Sequence, residues 1–295
     1  MYLPKLYISP INSVIFDAID SLHLNDIGYI LSQRQHHLRD GYMSLDVKML
    51  SNTVLERDHF SPDFNDFSEP IKYDAQLFHI IHLDLWHNST YSLDNLKKVM
   101  GEFLNFNPDM IFEFGTEDYV KKLEISELEN IFEWLPRDYL SKITYLVAQG
   151  GSVVFDLKNI SPIDIDTTSQ YVKLAKTFDM KVKRHNCDFH TEDELILLKN
   201  LGVEAYNFAP EFSVIYNQNI YENLKYNDIH VLHEAILKTP WNRWIDSVEN
   251  KPKLYKACLH YIQDPIIDET LTDNLKKKIK KEIQQKVYQI LDCIN

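Results

Sequence analysis

The 295-residue sequence predicts an α/β fold, a TIM-type (β/α)8 barrel with a C-terminal helical extension. Three observations predict it. Short apolar or β-branched runs alternate with stretches of helical periodicity, which implies parallel strands joined by right-handed crossovers. Polar side chains gather at the C-terminal ends of those runs, where such a barrel carries its site. The length suits one barrel, which runs to about 250 residues as a single domain. Residues 1–295 therefore read as one barrel domain, with 235–295 a helical extension packed on it.

In chain order the plain runs are Asp26–Ser32, Thr53–Asp58, Phe78–Trp86, Asp109–Gly115, Ile143–Gln149, Met180–His185 and Val203–Ala209. The eighth strand is placed at Lys5–Ile8, with Asp228–Leu232 as second candidate. Leu93–Phe106, Glu124–Trp134 and Thr191–Asn200 have helical periodicity, and Thr191 with Glu194 reads as a capping box. An open, doubly wound sheet is the alternative topology. It lacks the glycine-rich phosphate turn expected after a first strand, and the chain holds only 7 glycines. The last segment, Glu269–Ile294, is an amphipathic helix with Leu271, Leu275, Ile279, Ile283, Val287 and Leu291 every four residues. That row packs on the barrel or, as the alternative, on a second copy.

Composition narrows the function. At 44% hydrophobic and 25% charged, the chain can fill a sizeable core. A net charge of −13 argues against a nucleic-acid or anionic-membrane surface, although a local pocket can still bind phosphate. Cys187, Cys258 and Cys293 make neither a zinc pattern nor a disulfide framework. Met1–Ser9 has no signal-peptide pattern and no stretch is long and apolar enough to span a bilayer, so the cytoplasm is the expected compartment.

Strand side chains alternate between barrel interior and helix layer. On Phe78–Trp86 that sends Ile81, Leu83 and Leu85 outward, leaving His82, Asp84 and Trp86 inward. Phe112 and Phe114 face outward, while Glu113, Gly115 and Glu117 face inward. Glu56 shares a face with Asp58, Lys183 with His185, and Asn207 with Ala205 and Ala209. Asp58, His59, Asp84, Glu117, His185 and Asn207 thus collect at strand ends, where burying them unpaired is costly. They must pair, hold a metal or face a wet cleft. Histidines and carboxylates at one mouth suit a divalent metal polarising an oxygen, beside a free carboxylate that moves the proton. Plainer roles stand beside these. His79 and His82 read as structural histidines, Glu113 as a partner of Lys183, His36 and His37 as surface residues, and His190 as part of a helix start. Asp58-His59 stands apart, because it ends a strand and leads into the turn Ser61-Pro62-Asp63.

These residues resemble a known family. Ser32-Gln33-Arg34-Gln35 with Asp40-Gly41-Tyr42-Met43, Arg57-Asp58-His59-Phe60-Ser61-Pro62, Ile81-His82-Leu83-Asp84 and Gly115-Thr116-Glu117 occur in that order. His185-Asn186-Cys187-Asp188-Phe189 and Asn207-Phe208-Ala209-Pro210-Glu211-Phe212 follow. Together they resemble stretches of the D-tagatose-1,6-bisphosphate aldolase subunit family labelled non-catalytic, some members of which are associated with 4-epimerisation of sugar phosphates. The order also resembles that of catalytic class II aldolases. The resemblance implies Asp58 as acid/base, His59 and His185 as metal ligands, and Glu117 in the place of a third. It implies that Asp84 orients the metal site or shuttles a proton, and that Gln33, Asn207 and Glu211 bind substrate. The implied cofactor is a divalent metal, Zn²⁺ first, with Co²⁺, Mn²⁺ and Mg²⁺ as alternatives.

The sequence departs from the aldolases by lacking glycines in His185-Asn186-Cys187-Asp188. Arg34 and Arg57 can instead hold a phosphate or carboxylate bidentately, unless Arg57 turns outward into a structural role. Three functions follow as expectations. The first is a metal-dependent lyase or epimerase on a sugar phosphate or related polyol. The second is an accessory subunit of a class II aldolase, and the third a sugar-binding barrel without turnover. The expected partners are that small molecule, an aldolase subunit or a second copy of the chain, with neither nucleic acid nor membrane.

Overall fold

The structure is a computed structural model that describes residues 2–36, 43–50, 53–62, 68–86, 89, 91–117 and 119–295. His37, the Asp40-Gly41-Tyr42 stretch and Asp63 lie outside the described residues. In chain order the strands are β1 (Leu6–Ile8), β2 (Ile27–Ser32), β3 (Leu55–Phe60), β4 (Ile80–Leu83), β5 (Ile111–Phe114), β6 (Ile143–Val147), β7 (Val154–Phe155), β8 (Lys158–Asn159), β9 (Lys181–Arg184) and β10 (Ala205–Phe208). All but β7 and β8 run parallel and close into a barrel, with β10 pairing back onto β1. That pairing excludes the open sheet. The eighth strand therefore lies within Lys5–Ile8, and Asp228–Leu232 falls inside a helix. Between β6 and β9 the chain inserts the antiparallel hairpin β7–β8, which strand periodicity could not register because each arm is two residues long.

The helices are α1 (Ser13–Asp20), α2 (Ser68–Leu77), α3 (Leu93–Phe106), α4 (Ile125–Trp134), α5 (Arg137–Leu140), α6 (Ile165–Thr177), α7 (Glu192–Leu201), α8 (Pro210–Asn223), α9 (Tyr226–Ile236), α10 (Lys251–Cys258), α11 (Pro265–Thr270) and α12 (Asp273–Ile294). The capping box is present at α7, with Thr191 Oγ1 accepting from the Glu194 N–H at 3.2 Å and Glu194 Oε2 accepting from the Thr191 N–H at 2.8 Å. The Glu269–Ile294 segment is two helices, because Leu271 leaves helical geometry and Thr272 caps α12. Leu275, Ile279, Ile283, Val287 and Leu291 are buried, and α12 packs on α1, α7 and α8. By touching both α7 and α1, it covers the seam where β10 meets β1. Among the described residues no helix is long and apolar enough to cross a membrane.

Alternation sorts the core into two regions. Ile81, Leu83, Leu85, Phe112 and Phe114 join the layer between strands and helices. Tyr7, Ile30, Ile80, Tyr145 and Ala205 form the apolar base inside the barrel. Trp86 departs from its expected inward position: past the end of β4 it stacks on Tyr91 at 4.3 Å and meets the Phe114 ring edge-on. The strand period no longer applies there, since the ladder ends at Leu83.

Candidate active site

In a regular strand Asp58 and His59 would point to opposite faces. The register of β3 against β4 shifts between Arg57 and Phe60, and His59 has φ of +49°. This bulge turns both side chains toward one mouth and returns Phe60 to the helix layer against Phe103. The sequence showed the pair, but not the bulge that makes it face one way.

Three imidazoles meet there, with ring centroids 5.1 Å apart for His59 and His82, 4.7 Å for His82 and His185, and 5.8 Å for His59 and His185. Asp84 Oδ2 lies 3.0 Å from His59 Nδ1, which leaves the other ring nitrogen 3.2 Å from Glu117 Oε1. His185 Nδ1 lies 2.9 Å from that same oxygen, and its Nε2 contacts Glu113. His82 Nδ1 sits 3.1 Å from Asp58 Oδ1, and its Nε2–H donates to the Gly115 carbonyl at 3.2 Å. Gly115 has φ of +139°, and a Cβ there would lie 2.8 Å from that of Val147, so this carbonyl is presented by a turn that needs glycine.

Below the histidines, buried Lys183 pairs with Glu56 and, at 2.8 Å, with Glu113, and it lies 3.6 Å from the centre of the Tyr7 ring. Five carboxylates thus face three imidazoles and one lysine. Their field sets the titration. Burial alone would lower His59, but Asp58, Glu117 and Asp84 outweigh it and hold the imidazole up at about 10. Burial would raise Asp58 and Glu117, but the neighbouring histidines dominate; Glu117 falls to about 2 and Asp58 well below the usual carboxylate range.

The donor set fits a divalent cation. Donor atoms of His59, Glu117 and His185 lie within 4.8 Å of one another. Glu117 Oε2 is buried without a hydrogen-bond partner among the described residues. Both histidines carry a carboxylate on the opposite ring nitrogen, the usual way a metal-binding imidazole is oriented. His82, read as structural from sequence, belongs to the cluster as well. A lone histidine on an apolar strand gives no signal of its neighbours.

Asp58 and His59 are partly exposed at the floor of a cavity of about 750 Å³. Arg34 and Gln35 line it from the loop after β2. The other expected substrate residues, Asn207, Gln33, Arg57 and Glu211, are not among those that line it. Asn207 is buried at the end of β10, and neither atom of its amide has a hydrogen-bond partner among the described residues. Gln33 is half-buried and not among the cavity-lining residues.

Arg57 is not brought to the site. It points into the helix layer, where Nη2 pairs with Asp74 at 2.7 Å and the guanidinium lies 4.1 Å over the Phe78 ring. Glu211 is also held elsewhere, pairing with Lys286 of α12 at 2.7 Å and accepting the Phe189 N–H at 3.0 Å. Asp188 accepts from the Ala209 and Glu211 N–H groups, so the stretches after β9 and β10 interlock.

No family model and no curated protein matches the sequence. Solved structures do match the fold. A probable tagatose 6 phosphate kinase from Sinorhizobium meliloti 1021 aligns with TM-score 0.68 and 13% identity, over 95% of this chain and 86% of that one. The fructuronate-tagaturonate epimerase UxaE from Cohnella laeviribosi gives 0.67 and 11%, over 99% and 81%. Fructose-bisphosphate aldolase from Campylobacter jejuni gives 0.57 and 11%, over 99% and 90%. At these identities the likeness establishes a shared barrel fold.

Proposed function

We propose that the protein is a metal-dependent lyase or epimerase of class II aldolase type, acting on a sugar phosphate or related polyol. The observation that carries this reading is the clustering of His59, Glu117 and His185 beside Asp58 on a cavity floor. Asp84 and Glu113 hold the outer nitrogens of the two histidine ligands. A divalent ion there, Zn²⁺ first with Co²⁺, Mn²⁺ or Mg²⁺ as alternatives, supplies Lewis-acid polarisation of a substrate oxygen. Asp58 takes the proton of a substrate hydroxyl, and the adjacent carbon–carbon bond breaks as a carbonyl forms. His82, 3.1 Å from Asp58, can share that proton. Asn207 offers an amide to a substrate hydroxyl. The electron pair of the broken bond passes to the other carbon as an enolate of the second fragment. A lyase protonates that carbon and releases the two fragments, whereas an epimerase lets it re-attack the opposite face of the carbonyl and returns the proton to the new hydroxyl.

The test joins metal analysis to an activity screen. Protein stripped with chelator and reloaded is expected to hold one divalent ion per chain, and His59→Ala or His185→Ala to lose it. Asp58→Asn should keep the ion and lower turnover by about 10²–10⁴. A wild-type protein that takes up no ion and shows neither aldol cleavage nor epimerisation would overturn the reading. If it then raises the activity or stability of a class II aldolase partner, the accessory role replaces it.

A further inference from the structure

The cavity extends well beyond the histidine cluster, and its outer wall is not barrel. One side is the hairpin β7–β8, which contributes Phe155, with Ile160 just beyond it; the other is the segment after α9, which contributes Arg243, Trp244 and Tyr261. The two sides are fastened together. The Asp156 N–H donates to the Trp244 carbonyl at 2.7 Å, Lys253 pairs with the Asp156 carboxylate, and the Trp244 indole N–H donates to the Tyr261 hydroxyl at 2.7 Å. Asn159 anchors the hairpin to the loop after β9 by donating to the Asn186 carbonyl at 3.0 Å. A wall so fixed is a preformed surface.

Its chemistry is mixed in a specific way. Arg34 and Arg243 both line the cavity, and neither guanidinium has an ion pair or hydrogen bond among the described residues. In a chain with 44 acidic residues against 31 basic ones, two such guanidinium groups on one cavity leave room for an anion. Around them stand aromatic and aliphatic side chains: Tyr119, Phe155, Trp244, Tyr261 and Ile160. The C–H face of one sugar covers a single such ring, whereas four aromatic side chains and Ile160 offer apolar surface that a planar group would fill more fully.

We infer that this outer half is a subsite for a phosphate ester bearing a planar apolar group, so that the substrate is a sugar joined through phosphate to such a group, as in a nucleotide-linked sugar. Arg34 and Arg243 take the phosphate, and the aromatic wall takes the planar group. The inference rests on the proposed function only in placing the sugar at Asp58 and His59.

Binding of phenyl phosphate, UMP and inorganic phosphate, followed by calorimetry on the metal-loaded protein, tests it. Phenyl phosphate and UMP are expected to bind about tenfold or more tightly over inorganic phosphate. Arg243→Ala should weaken all three by about tenfold or more. Trp244→Ala should remove the preference for the two aromatic esters and leave inorganic phosphate unchanged. UMP above phenyl phosphate identifies a nucleoside as the planar group; equal binding supports a general aryl or apolar group. Arg243 is exposed, so its removal does not threaten folding. Equal affinities for the three probes, or an Arg243→Ala variant that binds like wild type, overturn the subsite. Failure of the proposed chemistry looks different: the probes bind through Arg243 while no sugar phosphate is turned over.

Discussion

Glu113 joins two systems that the sequence treats separately. One oxygen contacts His185 Nε2, and the other lies 2.8 Å from Lys183. Alternation along β5 and β9 was enough to put Glu113 and Lys183 inside the barrel, because side chains two apart share a face. It could not show that Glu113 also orients a histidine, which depends on β5 and β9 flanking β6 in the sheet. Glu113→Gln keeps the shape but loses the charge that fixes the imidazole tautomer. Metal affinity should fall by about 10–100-fold, as for other carboxylates behind a metal-binding histidine. Competition with a chromophoric chelator measures it, and an unchanged affinity would reduce Glu113 to a partner of Lys183. Arg57 carries a second prediction at this scale. Arg57→Ala removes the bidentate guanidinium partner of the buried Asp74 carboxylate, which should cost about 3–5 kcal/mol of stability by urea unfolding. KM should remain unchanged, because the guanidinium is turned away from the cavity.

Elements with strong periodicity were legible as written. Leu93–Phe106 is α3, because Ser92 caps it and its apolar residues recur at helical spacing. The strand runs were found but read long, since apolar residues such as Trp86 continue past the point where the ladder stops. What periodicity could not supply was irregular: the bulge at His59, the two-residue arms of β7–β8, and the break at Leu271 between α11 and α12. Each is set by long-range packing. The hairpin, for example, is held by Trp244 and Asn186, distant in sequence. The row on α12 is a regular element, and its consequence is testable. Ile283 is fully buried where α12 closes the seam of the barrel. Ile283→Ala should cost about 2–5 kcal/mol in chemical denaturation, with the site's metal content unaffected in the folded fraction. A cost below about 0.5 kcal/mol would mean that the helix adds little to the stability of the barrel.

For the whole molecule, the charge collected inside the barrel links folding to pH. Glu56, Asp58, Asp84, Glu113 and Glu117 surround one lysine there, Lys183, and in the metal-free protein protons offset the excess. Burial and Glu113 push Glu56 well above the usual carboxylate range, and the carboxylates around His59 raise it. His59 is the clearest case, rising from 6.5 to about 10 despite burial. A folded value above the unfolded one contributes stability that is fully present below pH 6.5 and is lost as pH rises through about 10. Glu117 works in the opposite sense. Lowered from 4.5 to about 2, it contributes stability present above pH 4.5 and lost as pH falls through about 2. Metal-free protein should therefore melt highest between about pH 4.5 and 6.5 and lose melting temperature steadily toward pH 10. A divalent ion needs the imidazoles deprotonated, so its stabilisation grows over the interval in which the proton's fades. Melting curves from pH 5 to 9.5, with chelator and with excess Co²⁺, should diverge upward of pH 6.5. Parallel curves, displaced by a constant amount, would mean that the ion binds away from His59 and His185.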